Sequence, residues 1–307
     1  MILWWTFFGV FILSMLALDL GIFSRRAHAV QIKESLRWTS FWIALALIFC
    51  TGIYLFYGQS HKKAMEFLTG YLIEYSLSID NLFVFLLIFR YFSVPVEYEQ
   101  KALIWGIMIA LMMRGIFIFA GIALINEFHW IIYIFGIFLI FTSLELARGK
   151  KQDVHPEKNI MVKLLRMFMP VADEYSENKF FTMSKNKCYA TPLMVVIIAL
   201  GTTDVFFAVD SIPAVLAVTT DPFIVLTSNV FAVLGLRSLF FAVSGLMKLF
   251  HFLHYGLAVI LGFVGVKMLM TDFYKINIGI SLTVIASIIT LSVMASLIWP
   301  KKHTNII

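Results

Sequence analysis

The sequence predicts an all-α, polytopic membrane protein of about nine transmembrane helices, and three observations carry that reading. Hydrophobic residues make up 61% of the 307-residue chain and charged residues only 14%, whereas a soluble domain carries about a quarter charged residues. The apolar residues gather into runs, each long enough for a hydrocarbon core of roughly 30 Å. Lysine and arginine gather between the runs, concentrated on alternate sides, as the positive-inside bias requires. The net charge of +6 is then a matter of topology, and nucleic acid is not expected as a partner.

In chain order the spans fall at about 2–23, 38–57, 65–89, 102–124, 129–147, 191–216, 223–246, 251–270 and 276–299. No positive residue precedes the first run, and Arg25 and Arg26 follow it. This predicts a retained span with the N-terminus outside rather than a cleaved signal. One side collects Arg25, Arg26, Lys33, Arg37, Arg90, Lys101, Lys248, Lys301, Lys302 and the basic segment 148–187; the other has only Lys62, Lys63 and Lys275. The first side is therefore cytoplasmic, with the C-terminus inside. The chain divides into two N-terminal helices (1–64), a three-helix unit (65–147), a cytoplasmic loop read as a linker (148–190), a second three-helix unit (191–270), and a last helix with a basic tail (271–307).

Four carboxylates interrupt these spans at matching places. Glu74 and Asp80 stand six residues apart in the third span, Asp204 and Asp210 six apart in the sixth. A small polar residue follows the second acid each time, Asn81 and Ser211, and one arginine sits in the next span, Arg114 and Arg237. An acidic helix followed by an arginine helix, written twice, is an internal repeat. An Asp at the bilayer centre costs roughly 2.5–3.5 kcal/mol on insertion scales, so these acids mark function. The third span runs inward and the sixth outward. The two units thus form a 3+3 inverted repeat, a design that places a substrate site near the midplane at the repeat interface.

Acids at i and i+6 of an ideal helix lie about 9 Å apart along its axis and about 120° apart around it. They cannot both face one ion from a regular helix. Either each meets a partner from the other repeat, or the helix unwinds between them. Pro213 conflicts with the carbonyl of Val209 and predicts a helix break there, with Gly201, Thr202, Thr203 and Ser211 accommodating the freed backbone.

Carboxylates, hydroxyls and the amides of Asn81 and Asn229 make an oxygen-only donor set, suited to Mg²⁺, Ca²⁺ or Mn²⁺ rather than Zn²⁺ or Cu⁺. Asp19, close to Arg25 and Arg26 at the inner end of the first span, is a further candidate ligand. Arg114 and Arg237 repel a cation and read as counter-charges or gating groups. The same acids and arginines also admit a purely structural reading as intramembrane ion pairs. Cys50 and Cys188 supply neither a disulfide framework nor a thiolate metal site.

The motifs Glu74-Tyr-Ser-Leu-Ser-Ile-Asp80-Asn81, Thr202-Thr203-Asp204-Val-Phe-Phe-Ala-Val-Asp210-Ser211-Ile-Pro213 and Ser228-Asn229-Val-Phe-Ala-Val-Leu-Gly-Leu-Arg237 resemble those of the TerC family of bacterial integral membrane proteins, and the resemblance covers nearly the whole chain. It implies a fold of the LysE-transporter type and export of Mn²⁺, as the transported substrate, across the bacterial inner membrane. It places the metal site on Glu74, Asp80, Asp204 and Asp210, with Asn81 and Ser211 as neighbours. The family is named for tellurite resistance, and some members are tied to metal supply for exported enzymes.

The leading expectation is a Mn²⁺ exporter working by alternating access, with protons as the candidate counter-ion and membrane lipids as its surroundings. A Ca²⁺/H⁺ exchanger and a membrane scaffold that assists metal supply, with 148–190 as its interaction surface, are the alternatives. An intramembrane aspartyl protease could form a dyad from Asp80 and Asp210. Four paired acids, and Gly-Thr-Thr before Asp204, speak against it. No enzyme chemistry is expected.

Overall fold

The computed structural model describes residues 2–18, 32–57, 60–128, 130–148, 187–246, 252–274 and 276–298, together with 162, 165, 167, 169–172, 175 and 179–184. Among them are nine helices: α1 (Ile2–Leu18), α2 (Ile32–Phe56), α3 (Ser60–Tyr91), α4 (Val96–Glu127), α5 (Ile131–Ala147), α6 (Pro192–Leu216), α7 (Pro222–Leu246), α8 (Leu253–Leu269) and α9 (Ile278–Ile298). They follow the apolar runs of the sequence. Six of them, α2, α3, α4, α6, α7 and α9, are long and apolar enough to cross a membrane, where the sequence predicts nine crossings. The described parts of α1, α5 and α8 are 17 residues each; at 1.5 Å per residue that is about 26 Å, short of a hydrocarbon core.

Two helix starts are written in the sequence as a capping residue followed by proline. Thr191 precedes Pro192, and its Oγ1 accepts from the backbone N–H of Met194 (3.4 Å). Asp221 precedes Pro222, and its Oδ1 accepts from the N–H groups of Phe223 (3.0 Å) and Ile224 (3.4 Å). Each satisfies donors that the first turn leaves unpaired, while proline has none to lose.

The chain forms two compact units. The first takes residues from Met1–Gln31, Val84–Met113 and Asp153–Phe206, the second from Ile32–Phe83, Arg114–Gln152 and Phe207–Ile307. In the first unit, α4 and α6 approach closely through glycine. A Cβ on Gly201 would come within 2.7 Å of Ile109, and one on Gly106 within 3.1 Å of Leu200.

The same unit holds an antiparallel hairpin of β1 (Phe181–Ser184) and β2 (Lys187–Ala190), in register from Phe181 opposite Ala190 to Ser184 opposite Lys187. Thr191 ties its base down, donating to the carbonyl of Lys179 (2.8 Å), while Lys101 lies over the Phe180 ring. Tyr175 donates to the carbonyl of Phe92 just past α3 (2.9 Å), and burial pushes its hydroxyl up to about 12. The linker reading of 148–190 contains none of this hairpin.

The second unit is built around buried apolar side chains that include Ile73, Ile118, Leu139, Ile212, Val225 and Leu261. Within it α5 and α8 meet backbone to backbone: a Cβ on Gly265 would lie 2.8 Å from the carbonyl oxygen of Gly136, and one on Gly136 3.0 Å from that of Gly265. Small residues that let backbones meet are the usual basis of helix association in lipid. Rings join α2 to α7, with Phe49 and Phe231 centroids 4.8 Å apart.

The head of α3 packs antiparallel to the end of α6. Glu66 meets Thr219 just past α6, and four residues further on Gly70 abuts Val215, four residues back.

The break expected at Pro213 is absent: α6 runs unbroken from Pro192 to Leu216 with Pro213 inside it. Pro213 sits in the last turn, where the missing N–H costs the helix one bond, to the Val209 carbonyl. The hydroxyls of Thr202 and Thr203 turn back to the carbonyls of Ile198 (2.7 Å) and Ala199 (2.6 Å) instead of bridging unwound backbone.

Candidate functional site

One broad face of α3 carries Glu66, Gly70, Glu74, Ser78 and Asn81, spaced three or four residues apart so that they fall on a single stripe. Every one is polar or glycine, in a helix otherwise rich in Leu, Ile and Phe. Glu74 is its centre. Its side chain has no exposed surface, and its partner Arg114 on α4 is 1% exposed. The two form an ion pair through Arg114 Nη1 and Glu74 Oε1.

The same guanidinium nitrogen reaches two further oxygens. It donates to Asn229 Oδ1 on α7 at 3.4 Å and lies 3.5 Å from Ser211 Oγ on α6. Ser78 Oγ donates to Glu74 Oε1 at 3.3 Å, one turn along α3. Carboxylate, amide and hydroxyl oxygens from α3, α7 and α6 therefore converge on a single cationic atom. Among the described residues, Glu74 Oε2, Asn81 Nδ2 and Asn229 Nδ2 are buried without a hydrogen-bond partner. Such groups are costly in a protein interior.

The other acids are placed as follows. Asp210, on α6 beside Ser211, is partly buried and accepts from Thr142 Oγ1 of α5 at 3.5 Å. Asp204 is buried on α6 and belongs to the first unit, whereas Glu74 and Asp210 belong to the second. Because α6 stays regular, Asp204 and Asp210 face about 120° apart and meet different surroundings. Asp80 lies on α3, but its side chain falls outside the described residues, as does all of Asp19. Arg237 is buried on α7, two turns beyond Asn229. Among the described residues no three His, Cys, Asp or Glu side chains are grouped so as to hold a metal ion.

Sequence reasoning missed a second polar cluster, at the head of α3. Glu66 is buried and accepts from Thr219 Oγ1 at 2.6 Å and from Lys63 Nζ at 3.1 Å. Lys63 also reaches Asp221 Oδ2 at 2.9 Å, so one ammonium joins the head of α3 to the start of α7. Tyr57, just past α2, faces Asp221. A charge at a helix end is cheap, and for that reason Glu66 gave no signal. Its spacing of eight residues from Glu74, two turns on one face, was the available clue.

The profile of the integral membrane protein TerC family matches residues 59–304. A Myxococcus xanthus protein named "Uncharacterized membrane protein STKORF319" is 46% identical over 294 residues, 96% of this chain and 92% of that one. A Salmonella typhi protein named "Putative membrane-bound redox modulator Alx" is 45% identical over 297 residues, 94% of this chain and 92% of its own. An "Uncharacterized membrane protein" of Rickettsia bellii is 35% identical over 294 residues, 96% of this chain and 97% of its own. No solved structure matches. The acid-bearing helices and the buried Glu74–Arg114 centre thus lie within the matched region, and the chain belongs to the TerC family of integral membrane proteins.

Proposed function

We propose that the chain is a divalent metal-ion transporter of a bacterial inner membrane, exporting Mn²⁺ by alternating access between two inverted three-helix units, with protons as the counter-flux. It is a carrier rather than an enzyme. The observation that carries this reading is the convergence on one buried point of a carboxylate, an amide and a hydroxyl from three helices. Hard oxygen donors of this kind suit Mn²⁺, Mg²⁺ or Ca²⁺. Glu74 supplies the charge at that point, and Asp80, Asp204 and Asp210 are further acids along the proposed path. Carboxylates that bind metal when ionised and take protons when it leaves would couple the two fluxes.

Two features support the inverted repeat. The head of α3 and the end of α6, the two acidic helices, run antiparallel. The helices that close each three-helix unit, α5 and α8, pair through one glycine apiece, Gly136 and Gly265. The contact of Lys63 and Glu66 with Thr219 and Asp221 also agrees with a topology of nine spans that puts both turns on the outer side.

Cellular manganese tests the reading. A strain relying on this protein should accumulate Mn when Glu74→Gln replaces the wild type at equal abundance in the membrane. Unchanged Mn content would sink the proposal.

A further inference from the structure

Arg114 is a long, permanently charged side chain placed where cargo would be expected to bind, and the polar groups around it are more than an ion pair requires. A structural pair with Glu74 needs one carboxylate. Here Nη1 alone faces three oxygens, from Glu74, Ser211 and Asn229, each on a different helix. That is the arrangement a hard metal cation uses: one anionic oxygen with neutral amide and hydroxyl oxygens completing the shell. A second, independent observation points the same way. Glu74 Oε2 is buried and has no hydrogen-bond partner among the described residues, so the carboxylate offers a further ligating oxygen that Arg114 does not use.

From this we infer that the guanidinium of Arg114 and the transported divalent cation are alternative occupants of one oxygen cage formed by Glu74, Ser211 and Asn229. The inference rests on the transport reading and adds how the site releases its cargo. Two cations cannot share a buried cage, because their repulsion is poorly screened there. A metal ion entering the cage displaces Nη1, and the returning guanidinium expels the metal while keeping Glu74 compensated. A buried carboxylate left alone would be strongly disfavoured. Arg114 therefore acts as an internal competitor that lowers apparent affinity and speeds release.

The test is equilibrium binding of Mn²⁺, added as MnCl₂ and followed by the electron paramagnetic resonance of the free ion, to the purified full chain in detergent. Removing the competitor in Arg114→Gln should tighten binding by about tenfold or more, since the competent fraction of the cage rises. Guanidinium ion at millimolar concentration should reverse that gain in the variant and leave the wild type unaffected. Ser211→Ala and Asn229→Ala, which leave the ion pair intact, should each weaken binding. Equal or weaker binding by folded Arg114→Gln, with the wild type binding normally, would overturn the inference and leave the transport reading standing. Should Arg114→Gln fail to fold, Arg114→Lys carries the same test: its side chain is one atom shorter and draws the charge back from the three oxygens that Nη1 meets, so tightening supports the exchange and unchanged or weaker binding overturns it. A wild type that binds no Mn²⁺ would remove the transport reading and this inference with it.

Discussion

Arg114 on α4 closes on Glu74 of α3 in an ion pair that neither side chain exposes to solvent. Breaking such a pair from one side strands a buried charge, at a cost of about 3–5 kcal/mol. Arg114→Leu or Glu74→Leu alone should therefore lower unfolding stability in micelles by that order. The double variant Glu74→Leu/Arg114→Leu should recover most of the loss, because no charge is left unpaired. Additive losses in denaturant titrations would show that the two residues do not act as a pair.

Gly136 and Gly265 set the α5–α8 approach. Gly265→Val places a Cβ 2.8 Å from the Gly136 carbonyl oxygen, and the backbones must separate. A loss of about 1–3 kcal/mol is expected, read as a lower midpoint of thermal unfolding in detergent. Gly52→Ala is the control: nothing lies within 4 Å of its Cβ, and its midpoint should not fall.

Asp221 caps α7 with one oxygen and holds Lys63 with the other. Asp221→Ala removes both and should cost about 1–2 kcal/mol, the cap providing most of it. Asp221→Asn keeps a capping oxygen and should cost less. A smaller fall in the unfolding midpoint for Asp221→Asn than for Asp221→Ala supports the assignment, and equal falls contradict it.

Tyr175 is held neutral by burial, with its hydroxyl pushed up to about 12. In the unfolded chain it would titrate near 10. Between those values the unfolded chain gives up the proton and the folded one keeps it. The contribution of Tyr175 to stability is thus complete below about pH 10 and is lost as pH rises toward 12. The absorbance difference between wild type and Tyr175→Phe should show one tyrosinate appearing with a midpoint near 12; a midpoint near 10 would mean that this hydroxyl is solvated.

What the sequence made legible follows from energetics. Glu74, Asp204, Asp210, Arg114 and Arg237 stand out because a charge inside an apolar run is expensive, and the structure places each of them on a helix. The helices begun by Thr191 and Asp221, each a cap before a proline, start close to the expected span starts at 191 and 223. Partners were harder to read. That Arg114 turns to Glu74, Ser211 and Asn229 depends on how α3, α4, α6 and α7 are rotated against one another, and a local pattern does not encode it. Pro213 misled because a proline near a helix end breaks little, and its place within the last turn could not be fixed from the sequence. Glu66 and Lys63 were hidden by their position at a span end, where a charge needs no explanation. The hairpin at 181–190 was hidden by a short, mixed sequence with no alternation long enough to declare a strand.

Flux through reconstituted protein reports whether Glu74 sits on a cation path. Full-length protein in proteoliposomes, given a Mn²⁺ gradient and a pH dye inside, should show saturable Mn²⁺ movement with opposing proton flow. That movement should be lost in both Glu74→Gln and Asp204→Asn. Folded wild-type protein that moves no divalent cation, or Glu74→Gln that moves Mn²⁺ as fast as wild type, would show that Glu74 lies on no such path.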